Sequence, residues 1–202
     1  MGVPVGVMCA VFMARYCPAR LYKVLRPAVD LLAGIPSVVY GFFGLVVIVP
    51  AVRQLFGGGK SVFTAALLLA IMILPTIISI SEAALRSVPQ SYYEGALALG
   101  ATKERAIFGV SLPAARSGVS AGIILGIGRA IGETTAIVMI AGNQPIIPNS
   151  IFSGVRTLTT NIILEMGYAQ DLHREALIAT AAVLFIFVLL INLLFSALKK
   201  TS

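Results

Sequence analysis

Four apolar runs, at about residues 29–52, 61–81, 117–142 and 176–198, are each long enough to cross a lipid bilayer as a helix, and no other feature constrains the fold so tightly. A hydrocarbon core about 30 Å thick takes roughly 20 helical residues, and each backbone amide must be satisfied inside its own helix because no water is available. Residues 1–14 are apolar but too short, and read as a partial span. They lack the basic start and the cleavage site of a signal peptide and end at Arg15, so the chain is expected to be N-terminally incomplete. With 58% hydrophobic residues, 11% charged residues and a mean hydropathy of +0.98, polar groups are too few to cover a water-soluble surface. The expectation is an all-α, polytopic transmembrane helical bundle, one membrane domain over residues 1–202 with the lipid bilayer as its solvent.

The net charge of +7 is a topology signal. Arg15, Arg20, Lys23 and Arg26 fill the first loop, at 15–28; Arg86, Lys103, Arg105 and Arg116 lie in the loop at 82–116; Lys199 and Lys200 end the chain. Basic loops stay on the cytoplasmic side, which puts these three regions there. The opposite side holds Arg53, Lys60, Arg156 and Arg174, partly offset by Glu165, Asp171 and Glu175. No basic patch is interleaved with aromatics, so no nucleic-acid partner is expected. Trp is absent, which leaves Tyr40, Tyr92 and Tyr168 as interfacial anchors.

Several motifs are weak. Gly57-Gly58-Gly59-Lys60-Ser61 superficially matches a phosphate loop, but Gln54 stands where that pattern needs its first glycine, and a hairpin between spans is the better reading. His173 near Asp171 and Glu175 could mark a metal or proton site, yet a single histidine without spaced partners reads better as a solvated loop residue. Cys9 and Cys17 have neither metal-ligand nor disulfide spacing. Neither a metal nor a cofactor is expected.

Two long polar segments remain. Residues 143–175 read as a partly re-entrant or surface loop, more helical around Asn161 to Tyr168. Residues 82–116 are punctuated as helix, turn, helix: Pro89, a capping-box pattern at Ser91 and Glu94, Gly100 in a left-handed closing position, Thr102 as the next cap, and Pro113. In the following span Gly118, Gly122, Gly126, Arg129 and Glu133 follow at spacings of four, four, three and four, which puts them on one helix face. Small residues at that spacing admit a close neighbouring helix, and the charged pair directs the stripe away from lipid. Such a pair marks a solute path or serves as a structural ion pair.

The central loop, Glu94-Gly95-Ala96-Leu97-Ala98-Leu99-Gly100 and then Leu112-Pro113, resembles the EAA loop of bacterial ABC importer permeases, with Gly95 in place of the usual first Ala. That resemblance implies the MetI-like permease fold and a helix that docks on a cytoplasmic ATPase subunit through Glu94, Gly95, Ala96, Gly100, Leu112 and Pro113. The run Gly126-Ile127-Gly128-Arg129-Ala130-Ile131-Gly132-Glu133-Thr134 is similar to phosphate-uptake permeases of the PstC type, as are Ile35 to Gly41 and Arg156 to Tyr168. This implies a transport subunit in a bacterial inner membrane, with ATP hydrolysis on a separate subunit. Its implied partners are a second permease subunit of the PstA type, cytoplasmic ATPase subunits and an extracytoplasmic phosphate-binding protein, and Arg129, Glu133 and Thr134 would lie on the translocation path. A permease for another oxyanion, such as sulfate or molybdate, would use an Arg in the same way. An ion-coupled secondary transporter working through Glu133 is a further alternative, although the sequence shows no internal repeat or broken helix.

Overall fold

Proline and glycine divide the chain into short and long helices. The computed structural model describes the backbone of residues 1–200 and the side chains of residues 1–194. Among the described residues the helices are α1 (Gly2–Tyr16), α2 (Ala19–Gly34), α3 (Ser37–Phe56), α4 (Val62–Ser87), α5 (Gln90–Ala98), α6 (Lys103–Ala114), α7 (Arg116–Gly132), α8 (Thr135–Ile140), α9 (Leu158–Glu165) and α10 (Asp171–Lys200). The only β pairing among them is one bridge between Gly142 and Val155. Helices α3, α4 and residues Asp171–Leu194 of α10 are long and apolar enough to span a membrane, and α6 with α7 qualify as a pair bent by 71°.

Several boundaries differ from expectation for local reasons. The span expected at 29–52 starts at Ser37, because Pro36 takes an extended conformation and keeps the residue before it out of the helix. The basic stretch expected as a loop at 15–28 is largely the helix α2, an amphipathic segment without glycine until Gly34. The loop expected to begin at residue 82 begins after Ser87, since α4 runs on through Glu82 and Arg86. Ser91 does not cap α5: Pro89 takes the cap position and makes no side-chain bond there, while Ser91 sits inside the first turn. The helical stretch expected around Asn161 to Tyr168 runs over Leu158–Glu165, starting three residues earlier, because Thr157 caps it by accepting a hydrogen bond from the Thr160 N–H. The span at 117–142 is interrupted at Glu133 and Thr134, so the chain does contain a broken helix. Lys199 and Lys200, expected to be cytoplasmic, lie outside the described side chains.

The chain divides into two compact units. The first takes Met1–Gly34 and Ile73–Ile127. Its core gathers Val11, Leu85, Ile107 and Val119, with a smaller cluster of Met13, Val29 and Ile78. Ile77, fully buried, is gripped from two sides, since a Cβ on Gly6 or on Gly126 would come within 2.8 Å of its side chain. The second unit takes Ile35–Met72 and Gly128–Leu194. Tyr40, Leu68, Met72, Ile137 and Ile140 form its core. There α8 lies so close to α3 that a Cβ on Gly41 would meet the Ala136 backbone at 2.8 Å. The apolar window of α10 is only 6% buried, and its Phe185, Ile186 and Leu190 face outward, which suits a hydrocarbon solvent.

Candidate functional site

Two regions hold the residues singled out from the sequence, one in each unit. In the first, α5 is closed by a Schellman motif: the Gly100 N–H bonds the Leu97 carbonyl at 2.9 Å and the Ala101 N–H bonds the Ala96 carbonyl at 3.1 Å. That geometry needs a left-handed residue, and Gly100 has φ +83°. Thr102 then opens α6, its hydroxyl accepting from the Arg105 N–H at 3.3 Å. The turn between α5 and α6 is thus hydrogen-bonded on both sides, and the surface of α5 is largely exposed. Glu94 and Gly95 are exposed, and Ala96 is half-buried. Leu99 at the tip is 91% exposed, an apolar side chain held out by its own turn. A Cβ at Gly95 would meet nothing within 4 Å, so an alanine fits there equally well.

Leu112 packs against the core of this unit, while Pro113 is exposed and lies just before the bend at Ala115. A π-helical turn at Ile107–Ser111 leads into it, and Pro113 removes one backbone donor, so the helix turns here instead of running straight. After the bend, α7 presents its glycines to α4. A Cβ on Gly118 would collide with Ala84, one on Gly122 would lie 3.1 Å from the Ser81 hydroxyl, and one on Gly126 would lie 2.8 Å from Ile77.

The second region surrounds the break that ends α7 at Gly132. Glu133 is therefore not one turn further along the helix that carries Arg129. Its carboxylate turns forward and accepts from the Ala136 N–H at 3.1 Å, capping α8, and its carbonyl accepts from the Thr159 hydroxyl at 3.5 Å. The Thr134 hydroxyl bonds back to the Gly132 carbonyl at 3.3 Å. Arg129, in the last turn of α7, lies within electrostatic reach of the Tyr40 phenol. A cavity of about 280 Å³ opens beside the break, lined by Ala130, Ile131, Glu133, Ile137, Thr157 and Thr159 among others. It is mainly apolar, with the carboxylate and two threonines as its polar edge.

Residues 143–168 of this unit are tied by a second set of charges. Arg156 bonds Glu165 at 2.6 Å, the Asn143 carbonyl at 3.1 Å and the Asn161 side chain at 3.3 Å. The Tyr168 hydroxyl donates to the other oxygen of Glu165 at 2.5 Å. That hydrogen bond first, and Arg156 after it, hold the Glu165 carboxyl below the usual carboxylate range. His173 stands 3.7 Å from Glu165, edge-on to Tyr168, and no group of three or more metal-ligating side chains occurs among the described residues. At the glycine run, Gly57 takes a left-handed turn closing α3, and the Gly59 carbonyl accepts from the Thr64 hydroxyl at 2.7 Å, which makes it a hairpin.

Sequence reasoning missed one cluster altogether. Glu82 is fully buried, with its carboxylate between Arg86 at 2.6 Å and Arg26 at 2.9 Å. The available signal was an acidic residue at the end of an apolar run followed four positions later by an arginine.

The family described as a binding-protein-dependent transport system inner membrane component matches residues 2–201. The chain is 43% identical to the probable ABC transporter permease protein YqgH of Bacillus subtilis, over 97% of this chain and 66% of that protein. It is 36% identical to the phosphate transport system permease protein PstC of Mesorhizobium japonicum, over 94% of this chain and 64% of that protein. It is 35% identical to the protein of the same description from Mycobacterium leprae, over 95% and 67% respectively. The chain thus spans about two thirds of the length of these relatives. In fold it is similar to a chain of the MetNI methionine ABC transporter in an inward-facing conformation, with a TM-score of 0.78 at 21% identity, over 99% of this chain and 87% of that one. A chain of an amino acid ABC transporter matches with a TM-score of 0.63 at 20% identity, over 100% and 87%. The helical bundle, its apolar spans and these matches together make this chain a member of the binding-protein-dependent transport system inner membrane component family.

Proposed function

We propose that the chain is the membrane-spanning permease subunit of an ATP-driven phosphate importer. The observation that carries this reading is the helix α5, capped at Gly100 and ending in the exposed Leu99, on a chain of this family. A short helix with fixed joints and an apolar tip suits docking in a groove of a partner and carrying that partner's motion into the bundle. The partner on this reading is a cytoplasmic ATPase subunit, and ATP is hydrolysed there. A second, related permease of the PstA type and an extracytoplasmic phosphate-binding protein complete the assembly. Phosphate is favoured as cargo by the relatives described as phosphate transport permeases.

Within the path, Arg129 contacts the passing anion, because a guanidinium fork can bind phosphate bidentately. Glu133 has two roles on this reading: its carboxylate caps α8, and its charge keeps the path weakly binding so that the anion leaves. Thr134 supplies a hydroxyl at the same break. The roles separate by substitution. Glu133→Gln keeps an oxygen to cap α8 but removes the charge, whereas Glu133→Ala removes both.

The test is uptake of labelled phosphate by proteoliposomes holding the full complex. Arg129→Gln should lower uptake by at least about tenfold, as expected when a charged contact to the moving ion is lost, with assembly intact. Near-normal uptake by that variant would remove Arg129 from the path. Competition by sulfate or molybdate as strong as that by unlabelled phosphate would reassign the cargo.

A further inference from the structure

The joint between α4 and α5 contains Val88 and Pro89, and Pro89 has no N–H with which to continue the helix. Left alone, such a joint is a hinge that would absorb movement of α5. It is not left alone. Arg15 of α1 donates to the Leu85 carbonyl on one side of the joint at 2.8 Å and to the Gln90 side chain on the other at 3.3 Å. In the opposite direction, Arg86 of α4 donates to the Met13 carbonyl in the π-helical turn of α1 at 3.0 Å. The carbonyls used are those that a helix end and a widened turn leave short of partners.

Behind this exchange lies Glu82, with none of its surface exposed. Arg86 bonds one of its oxygens and Arg26 of α2 the other, and the Tyr22 hydroxyl hydrogen-bonds the same carboxylate. Arg86 also lies over the Tyr22 ring, 4.3 Å from its centre, and Arg26 pairs with Asp30 at 3.0 Å. A buried ion cluster is poor evidence of stability, because desolvation offsets much of its attraction. What it does supply is fixed geometry, and this one fixes α1, α2 and α4 at the base of α5.

We infer that Arg15, which spans the joint at Val88 and Pro89, and Arg26 and Arg86, which hold the buried carboxylate of Glu82 behind it, brace this joint and make movement of α5 move α1, α2 and α4 as one piece. They are positioning residues for energy coupling, which rests on the reading that an ATPase subunit engages α5. The brace accounts for charges that neither line the path nor belong to the docking helix.

The experiment compares phosphate uptake with ATP hydrolysis in proteoliposomes containing the full complex. Arg15→Gln leaves the Glu82 cluster intact and removes the link across the joint. Uptake per ATP hydrolysed should fall at least about fivefold, comparable to loss of a hydrogen bond from a charged group, while hydrolysis per assembled complex stays within about twofold of wild type. Glu82→Gln should lower the same ratio further, and Arg15→Lys, which keeps the charge but not the two-armed fork, should recover part of it. A merely structural role would lower uptake and hydrolysis together through loss of assembled complex and leave the ratio unchanged. An unchanged ratio in Arg15→Gln overturns the inference, whatever becomes of Glu82→Gln. Absence of ATP-dependent uptake by the wild-type complex would overturn the importer reading itself, a distinct result.

Discussion

Each unit holds a glutamate between an arginine and a tyrosine, and the two are built in opposite ways. Glu82 is fully buried, and the Arg26 that binds it is 56 residues away. Glu165 keeps 18% of its side chain exposed, and its partners Arg156 and Tyr168 are nine and three residues away. The first cluster joins helices distant in sequence, and the second pins residues 143–168 to one another. A desolvated charge costs several kcal/mol to strip of its partners, whereas a wet pair contributes little because water replaces whatever is removed. Resemblance in composition therefore says little about consequence; burial and sequence separation decide it.

The largest predicted effect strikes the buried cluster. Glu82→Leu leaves Arg26 and Arg86 facing each other without their common acceptor. It should destabilise the purified complex by about 3 kcal/mol, the low end for a broken buried pair because both arginines keep part of their solvent. Thermal inactivation of detergent-solubilised complex measures it. Replacing Arg26 and Arg86 by Met in the same variant should recover much of the loss, since an apolar cluster carries no desolvation penalty. If Glu82→Leu alone is no less stable than wild type, the contrast between the two glutamates collapses.

Close helix approach sharpens the comparison next. Gly126→Leu drives a side chain into Ile77, where even a Cβ would lie 2.8 Å away, and should cost about 1–3 kcal/mol by overpacking. Gly128→Ala, two residues on in the same helix, meets nothing within 4 Å and should be neutral or slightly stabilising. Equal melting temperatures for the two variants would mean that the glycine stripe does not set the packing of α7. Gly100→Val comes third: a β-branched residue in a left-handed turn costs about 1–2 kcal/mol locally. Because the turn is exposed, the complex should still assemble while uptake falls. Normal uptake per ATP would separate the turn from coupling.

The sequence made some of this plain and hid the rest for physical reasons. That the chain forms long apolar helices was legible, α4 and α10 above all, because a long apolar run in lipid must satisfy its backbone within itself. The conformation at Gly100 and the cap at Thr102 were legible because both are dictated within a few residues. Pro36 carried the information that α3 starts after it, but a count of apolar residues passed over it. The break after Gly132 was harder, since Glu133 and Thr134 continue a helical spacing and only the capping of Ala136 by the Glu133 carboxylate makes a new start favourable. The Glu82 cluster was illegible in its details, because nothing local to Arg26 indicates a partner 56 residues on.

The smallest predicted effect lies in the Glu165 cluster, and its pH dependence gives the comparison its finest test. The Glu165 carboxyl is held below its ordinary value by the Tyr168 hydroxyl and then by Arg156. A carboxyl depressed in the folded state stabilises that state above its unfolded value, about 4.3, and the contribution disappears as pH falls through the lower folded value. Protection of α9 amides against hydrogen exchange, corrected for the intrinsic rate, should therefore owe no pH dependence to Glu165 from neutral pH down to about 5, and should weaken only in stronger acid. Glu165→Gln should remove that acid-dependent step and lower protection at neutral pH by no more than a few-fold. The loss is small because Arg156 keeps its bonds to the Asn143 carbonyl and the Asn161 side chain, and solvent reaches the vacated position. Collapse of α9 protection at neutral pH in Glu165→Gln would give the exposed glutamate the weight assigned here to the buried one, and would show that sequence-local contacts can hold this fold as firmly as distant ones.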